Sequence, residues 1–161
     1  MDNRKIPLIV GVTGHIALRP SDLDALRDSV RSELIHLKEL CPNTQIVMLT
    51  SLAAGGDLLC ADVAEELGIP VFAALPMEPS EYRKDFSGAD AAGFDRHCAR
   101  AEWAGVAPST ERMPECPERA DYFRQTSIYV ATHSHVLMAL WDGSPPDANS
   151  CGTSAAVDIA L

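Results

Sequence analysis

No stretch of this sequence approaches the roughly 20 consecutive apolar residues that a membrane-spanning helix needs. Its start, Met1-Asp2-Asn3-Arg4-Lys5, leads into a short apolar run rather than a signal-peptide core. No membrane partner and a cytoplasmic location are therefore expected. Cysteine is too scattered for a disulfide framework or a zinc site, since Cys41, Cys60, Cys98, Cys116 and Cys151 include no C-x-x-C pair. These residues read as reduced, small, buried apolar side chains. Basic side chains are scarce as well: 13 Lys and Arg stand against 23 Asp and Glu, a formal net charge of -10. Affinity for DNA and RNA comes mostly from neutralising backbone phosphates, so this balance argues against a nucleic-acid polymer as partner. A small anionic ligand stays open, because it needs only a few amides and one helix end. Catalytic signatures are missing too. There is no G-x-x-x-x-G-K-[ST], no complete G-x-G-x-x-G and no G-x-S-x-G, and no cysteine pairs with a histidine in a recognisable catalytic frame. His133 and His135, two apart, cannot share a helical face as metal ligands. Neither a metal nor a cofactor is expected.

What is present reads as one domain over residues 1–161, a length with no room for two independent cores. Leu8-Ile9-Val10-Gly11-Val12 predicts a buried first strand. Ser21-Asp22-Leu23-Asp24 resembles a capping box, and Leu23, Leu26, Val30, Leu34 and Leu37 give the following helix one apolar face, ending near Cys41-Pro42-Asn43. A second strand is predicted over Gln45–Thr50, then a helix carrying Leu58, Leu59, Val63 and Leu67 and closing at Gly68, then a third strand from Ile69 to Leu75. Ala89–Ala104 reads as helix, and Gly105–Pro117 as a surface loop or a poor strand at Val106-Ala107. Glu118–His133 reads as helix with Tyr122, Thr126, Tyr129 and His133 on one stripe, and Val136–Trp141 as a further buried strand. The last helix begins at Gly152-Thr153, so near Leu161 that it is either a short terminal helix or part of a chain trimmed from something longer. Strands alternating with helices predict an α/β fold with a parallel sheet.

In such a sheet the strand carboxyl ends share one edge, where ligands bind. Three glycine-containing loops follow apolar runs at that edge: Gly11-Val12-Thr13-Gly14-His15, Ser51-Leu52-Ala53-Ala54-Gly55-Gly56-Asp57, and Asp142-Gly143 continuing to Cys151-Gly152-Thr153-Ser154. Glycine lets backbone approach a ligand, and free N–H groups at helix starts attract phosphate oxygens. On this reading Gly11, Thr13, Gly14, Ser51, Gly55, Gly56, Gly143, Gly152 and Thr153 surround an anion, although helix capping accounts for the hydroxyls as well. A side chain at Gly14 is expected to occupy the phosphate position and block binding without unfolding the domain. Asp57 and Asp142 are candidate ribose contacts, with capping and an Asp-Gly turn as their plainer roles. His15 and Arg19 are the nearby histidine and cation. Tyr82, Asp85 and Phe86 form a lid or merely pack a loop.

These residues, taken in order with Leu75-Pro76, Leu140-Trp141-Asp142-Gly143 and Gly152-Thr153, resemble the prokaryotic members of the SLOG superfamily. That Rossmann-like group includes the lonely-guy phosphoribohydrolases and the nucleotide-sensing cytosolic regions of TRPM channels. The resemblance spans nearly the whole chain. It implies a doubly wound, mostly parallel sheet with helices on both faces, binding a nucleotide or nucleotide-derived signal, often as a homo-oligomer with a fused or associated effector. Enzymatic relatives carry a glutamate within a turn after Gly-Thr, needed for N-glycosidic cleavage. Here Ser154, Ala155, Ala156 and Val157 follow Thr153. An alanine methyl neither accepts a proton nor carries charge. Ile16 and Ala54 likewise replace an arginine and an acid common in the sensor type. The expectation is a nucleotide-ligand sensor without catalysis. Its alternative is a phosphoribohydrolase-like enzyme that cleaves nucleoside 5'-monophosphates with an acid such as Asp142 or Asp57.

Overall fold

The computed structural model describes residues 6–145 and 152–161, so Met1–Lys5 and the 146–151 part of the third loop, Cys151 included, lie outside the described residues. Five strands form one all-parallel sheet in the order β4-β3-β2-β1-β5. They are β1 Leu8–Gly14, β2 Ile46–Thr50, β3 Val71–Leu75, β4 Trp103–Val106 and β5 Val136–Leu140. The helices are α1 Leu23–Leu40, α2 Gly56–Glu66, α3 Pro79–Tyr82, α4 Gly88–Arg100, α5 Arg119–Thr132 and α6 Thr153–Ala160, with 3-10 turns at Pro20–Asp22 and Arg83–Asp85. The fold is α/β and Rossmann-like.

Period-two alternation divides the strands between two cores. Val10, Val12, Met48, Ala73 and Leu75 pack with Val30, Leu34, Leu58, Val63 and Phe94 of α1, α2 and α4. Leu49 and Ala74, with the half-buried Ile9, Phe72 and Leu137, pack with Val130 and Tyr129 of α5. The chain walks from β1 to β4 through crossovers on the first face. It then returns over the other face on α5 to place β5 beside β1, so the order reverses between β1 and β5. Thr13 pairs with Ala139 and Gly14 with Leu140 at that boundary. The carboxyl edge there is where an open α/β sheet leaves a crevice.

Three expectations change. No side chain caps α1: the Ser21 hydroxyl donates to Asp22 at 2.9 Å, and a single 3-10 turn precedes the helix instead. A reciprocal capping box forms at α5, between Glu118 and Asp121. The helix predicted to Ala104 stops at Arg100, because the Glu102 N–H donates to the Val71 carbonyl at 2.9 Å and draws Trp103–Val106 into the sheet as β4. Backbone pairing on an edge outweighs the weak helical pattern of Ala-Glu-Trp-Ala. Of the cysteines, Cys60 is fully buried and its thiol pKa is pushed far up by burial, but Cys116 is exposed.

Candidate functional site

A cleft of about 460 Å³ opens at the carboxyl edge of the sheet. Thr13, Gly14, His15 and Ile16 line it at the end of β1, Ser51, Ala53 and Ala54 between β2 and α2, Asp57 in the first turn of α2, and Pro76 after β3. Tyr82, Asp85 and Phe86 form one wall, Phe123, Thr126 and Ser127 of α5 another, and Gly152 and Thr153 bring in the start of α6. The structure therefore gathers Thr13, Gly14, His15, Ser51, Asp57, Gly152 and Thr153 around one space. Gly11, Arg19, Gly55, Gly56, Asp142 and Gly143 do not line it.

The first two glycine loops are locked to each other. A Cβ on Gly14 would lie 2.7 Å from the Gly56 Cα, and one on Gly56 would meet Gly14 at the same distance. The Gly56 N–H donates to the His15 carbonyl at 3.0 Å, and the His15 N–H to the Leu140 carbonyl at 3.1 Å. Gly55 holds a φ of +77°, and a side chain there would also run into the carbonyls of His15 and Ile16. Leu58 and Leu59 donate their N–H groups to the Ala53 and Gly55 carbonyls. These glycines thus serve backbone-to-backbone packing, and the amides at His15, Gly56, Leu58 and Leu59 are taken by protein carbonyls. A side chain at Gly14 strikes the second loop, not a vacant phosphate position, so it would strain the fold as well as the cleft. Gly11 lies within β1, where a Cβ would collide with the Ser134 hydroxyl.

Asp57 is the polar hub. It is 2% exposed and accepts hydrogen bonds on Oδ2 from the Thr50 and Ser51 hydroxyls, both at 2.8 Å. Backbone N–H groups of Ala53 and Ser51 add to these. Burial nevertheless raises its pKa to about 6, winning over the hydrogen bonds that favour the carboxylate. Ser51, having given its proton to Asp57, is left to accept from the Tyr82 hydroxyl, and burial raises the Tyr82 pKa far above its ordinary value. Between them Leu52, fully buried, sits at a φ of 55°, a conformation rarely held by a branched side chain. Its N–H donates to Thr50 Oγ1 at 3.0 Å, which helps hold it there.

At the rim, His15 Nε2 lies 3.2 Å from Asp142 Oδ1. The Asp142 carboxyl is held down to about 2 by the Ser144 hydroxyl, then by the Ser144 N–H and His15. Arg19 is largely exposed and pairs with Asp22 at 2.8 Å. The aromatic wall is built by Tyr82, edge-on to Phe86 at 4.9 Å and tilted against Phe123 at 6.1 Å, with Phe94 stacked behind Phe86 at 4.6 Å. Arg119 clasps this wall to α5 by donating to Asp85 at 2.7 Å and Glu81 at 3.2 Å. Phe123, Thr126 and Ser127 went unrecognised in the sequence as lining residues. Their spacing of three and four, which sets them on one helical face, was the available signal. Among the described residues no group of three His, Cys, Asp or Glu side chains is placed to hold a metal, and no helix is long and apolar enough to cross a membrane.

No protein-family model matches the sequence, and no curated protein matches it. Solved structures share the fold, two of them as follows. The structural-genomics target TM1055 superposes with a TM-score of 0.52 at 16% identity, covering 95% of this chain and 68% of its own. DNA processing protein A from Helicobacter pylori gives 0.54 at 16% identity, covering 96% of this chain and 60% of its own. The second was solved for its single-stranded DNA binding mode. That finding corrects the exclusion of nucleic-acid polymers drawn from composition: a protein of this architecture binds one. The physical reason is that net charge sums over a whole surface, whereas binding depends on the local arrangement of donors and stacking groups.

Proposed function

We propose that the cleft binds a nucleotide-derived small molecule and that the protein acts as a ligand-responsive domain, not through catalysis. The observation that supports this best is the position of the cleft. It lies at the carboxyl edge, beside the reversal of strand order between β1 and β5, and is walled by aromatics on one side and by hydroxyl and carboxyl groups on the other. Parts of the motifs resembling the SLOG superfamily line this space, at Thr13–His15, Ser51, Asp57, Pro76, Tyr82, Asp85-Phe86 and Gly152-Thr153, although Asp142-Gly143 does not, and the position following Gly152-Thr153 lacks the glutamate that enzymatic relatives use. Thr13, Ser51, Asp57 and Thr153 are the proposed polar contacts, and Tyr82, Phe86 and Phe123 the proposed apolar seat. Gly14 lines the cleft, and Gly55 and Gly56 pack the second loop against the backbone of Gly14–Ile16.

Calorimetry with nucleosides, mononucleotides, cyclic nucleotides and a single-stranded oligonucleotide tests the reading. Saturable binding of a small ligand, reduced in Gly14→Ala, is expected. An oligonucleotide that binds while every small ligand fails would replace it.

A phosphoribohydrolase-like activity is the second reading, and one observation favours it. Asp57, with a pKa of about 6, is tuned to give up a proton near neutrality, which Asp142 at about 2 is not. Incubation with AMP and chromatography for free adenine decides between them. Turnover abolished by Asp57→Asn would establish the enzyme.

A further inference from the structure

β4 is the last strand on its side of the sheet, and among the described residues no strand pairs with its outer edge. Such an edge presents backbone donors and acceptors to any extended chain that reaches it. Trp103-Ala104-Gly105-Val106 holds no charge and no proline that would turn that chain away. Trp103 is 41% exposed and Val106 40%. A Cβ on Gly105 would lie 2.8 Å from the Trp103 ring, so the indole lies along its own strand over a residue with no side chain. An added strand would find an apolar neighbour there.

Where β4 ends, a second cavity of about 490 Å³ opens, sharing only Pro76 with the lining of the cleft. Met77, Val106 and Tyr122 form its apolar body, and Glu78, Glu81 and Arg119 supply its charge. Arg119 is spent on Glu81 and Asp85, and Lys84 also pairs with Glu81. The exposed Glu78 has no ion-pair partner among the described residues, and neither has the exposed Glu102 at the other end of β4. Uncompensated negative charge thus stands at both ends of a neutral edge. The loop after β4 adds Glu111, Glu115 and Glu118 against Arg112.

This pattern selects the occupant. A second copy of the chain, paired antiparallel through β4, would set Glu102 of each copy beside the Glu78 cavity of the other, like charge against like. A basic segment meets opposite charge at both ends. A Lys or Arg stem can lie on Met77, Val106 and Tyr122 while its charged head reaches Glu78. We propose that the outer edge of β4 takes up an extended segment of a partner protein that alternates basic and apolar side chains, adding a sixth strand and seating one Lys or Arg in the second cavity.

The test begins with selection of random dodecapeptides against the intact protein, with Val106→Lys as counter-target. Enriched sequences are expected to alternate Lys or Arg with β-branched or aromatic residues, and to fail on the variant, whose new charge stands at the cavity. One enriched peptide is then labelled and its affinity read by fluorescence anisotropy. Methylating its backbone nitrogens at even or at odd positions is expected to weaken binding about tenfold in one set only, because only alternate amides of an added strand face β4. Glu78→Gln is expected to weaken it about threefold, with circular dichroism unchanged. No enrichment over the variant, enriched sequences without basic residues, equal effects of the two methylated sets, or an affinity unaltered in Glu78→Gln would overturn the proposal. A dimer that Val106→Lys dissociates in sedimentation would overturn it too, by giving the edge to a second copy.

Discussion

On one face of the sheet α1, α2 and α4 bury Val10, Leu34, Met48, Val63 and Phe94 almost completely, while on the other α5 closes chiefly over Leu49, Ala74, Ala107 and Val130 and β5 stays half-exposed. The first face is also laced by ions on its outer surface. Asp62 of α2 pairs with Arg27 of α1 at 3.3 Å and with His97 of α4 at 2.8 Å, and Arg96 joins the same carboxylate. The second face contributes Phe123, Thr126 and Ser127 to the cleft. One face holds the fold together and the other completes the site. The difference teaches that stability and ligand chemistry are drawn from separate helices, with α2 shared between them through Asp57 at one end and Asp62 further along.

The sharpest way to break this contrast is to hollow out each face. Phe94→Ala is expected to cost about 3–5 kcal/mol and Val130→Ala about 1–2 kcal/mol, read from urea unfolding midpoints. Equal losses would mean that the thin face carries as much of the fold as the thick one.

A second measurement contrasts Asp57 and Asp62, two of the carboxylates of α2. The folded-state pKa of Asp57 is raised to about 6, so the folded protein holds this proton more tightly than the unfolded chain. Its contribution is most favourable below about pH 4 and is lost as pH rises to about 6, by about 3 kcal/mol in all. Asp62 runs the other way. Partial burial opposes ionisation, but His97, Arg27 and Arg96 win and lower its pKa, so the stability it adds is present at neutral pH and lost as pH falls. The difference in stability between the wild type and Asp57→Asn should therefore fall between pH 4 and pH 7. A flat difference would show that Asp57 titrates as an ordinary surface carboxylate does.

The smallest effects should come from the surface charges. Arg96→Ala on the first face and Arg119→Ala on the second remove exposed ion pairs, and each should move the unfolding midpoint less than either core substitution. A large shift in Arg119→Ala, measured by the same urea titration, would make the clasp on the aromatic wall a structural element in its own right.

The strands from β1 to β3 and the helices α1, α2 and α5 were legible because each is a run of local periodicity: Ile46–Thr50 is continuously apolar up to its last residue, and Leu26, Val30, Leu34 and Leu37 repeat at helical spacing. β4 was not, because Trp103-Ala104-Gly105-Val106 is short, half-exposed and adjacent to a helix, and only its pairing with Phe72–Leu75 makes it a strand. Of the cleft, the loops after β1 and β2 were legible from their glycines, but the reason for those glycines was not. Gly14 and Gly56 are 42 positions apart, and nothing local indicates that their backbones touch.

Taken alone, the amino-acid order determined the kinds of element, their sequence of alternation and hence a parallel α/β sheet, since these follow from side-chain periodicity over a few neighbours. Tertiary structure decided that β5 lies beside β1, that α5 turns Phe123 and Thr126 toward the cleft, and that the amides of the glycine loops meet protein carbonyls. Those outcomes depend on which distant backbones come into contact, and contact across tens of residues is set by packing the whole chain at once.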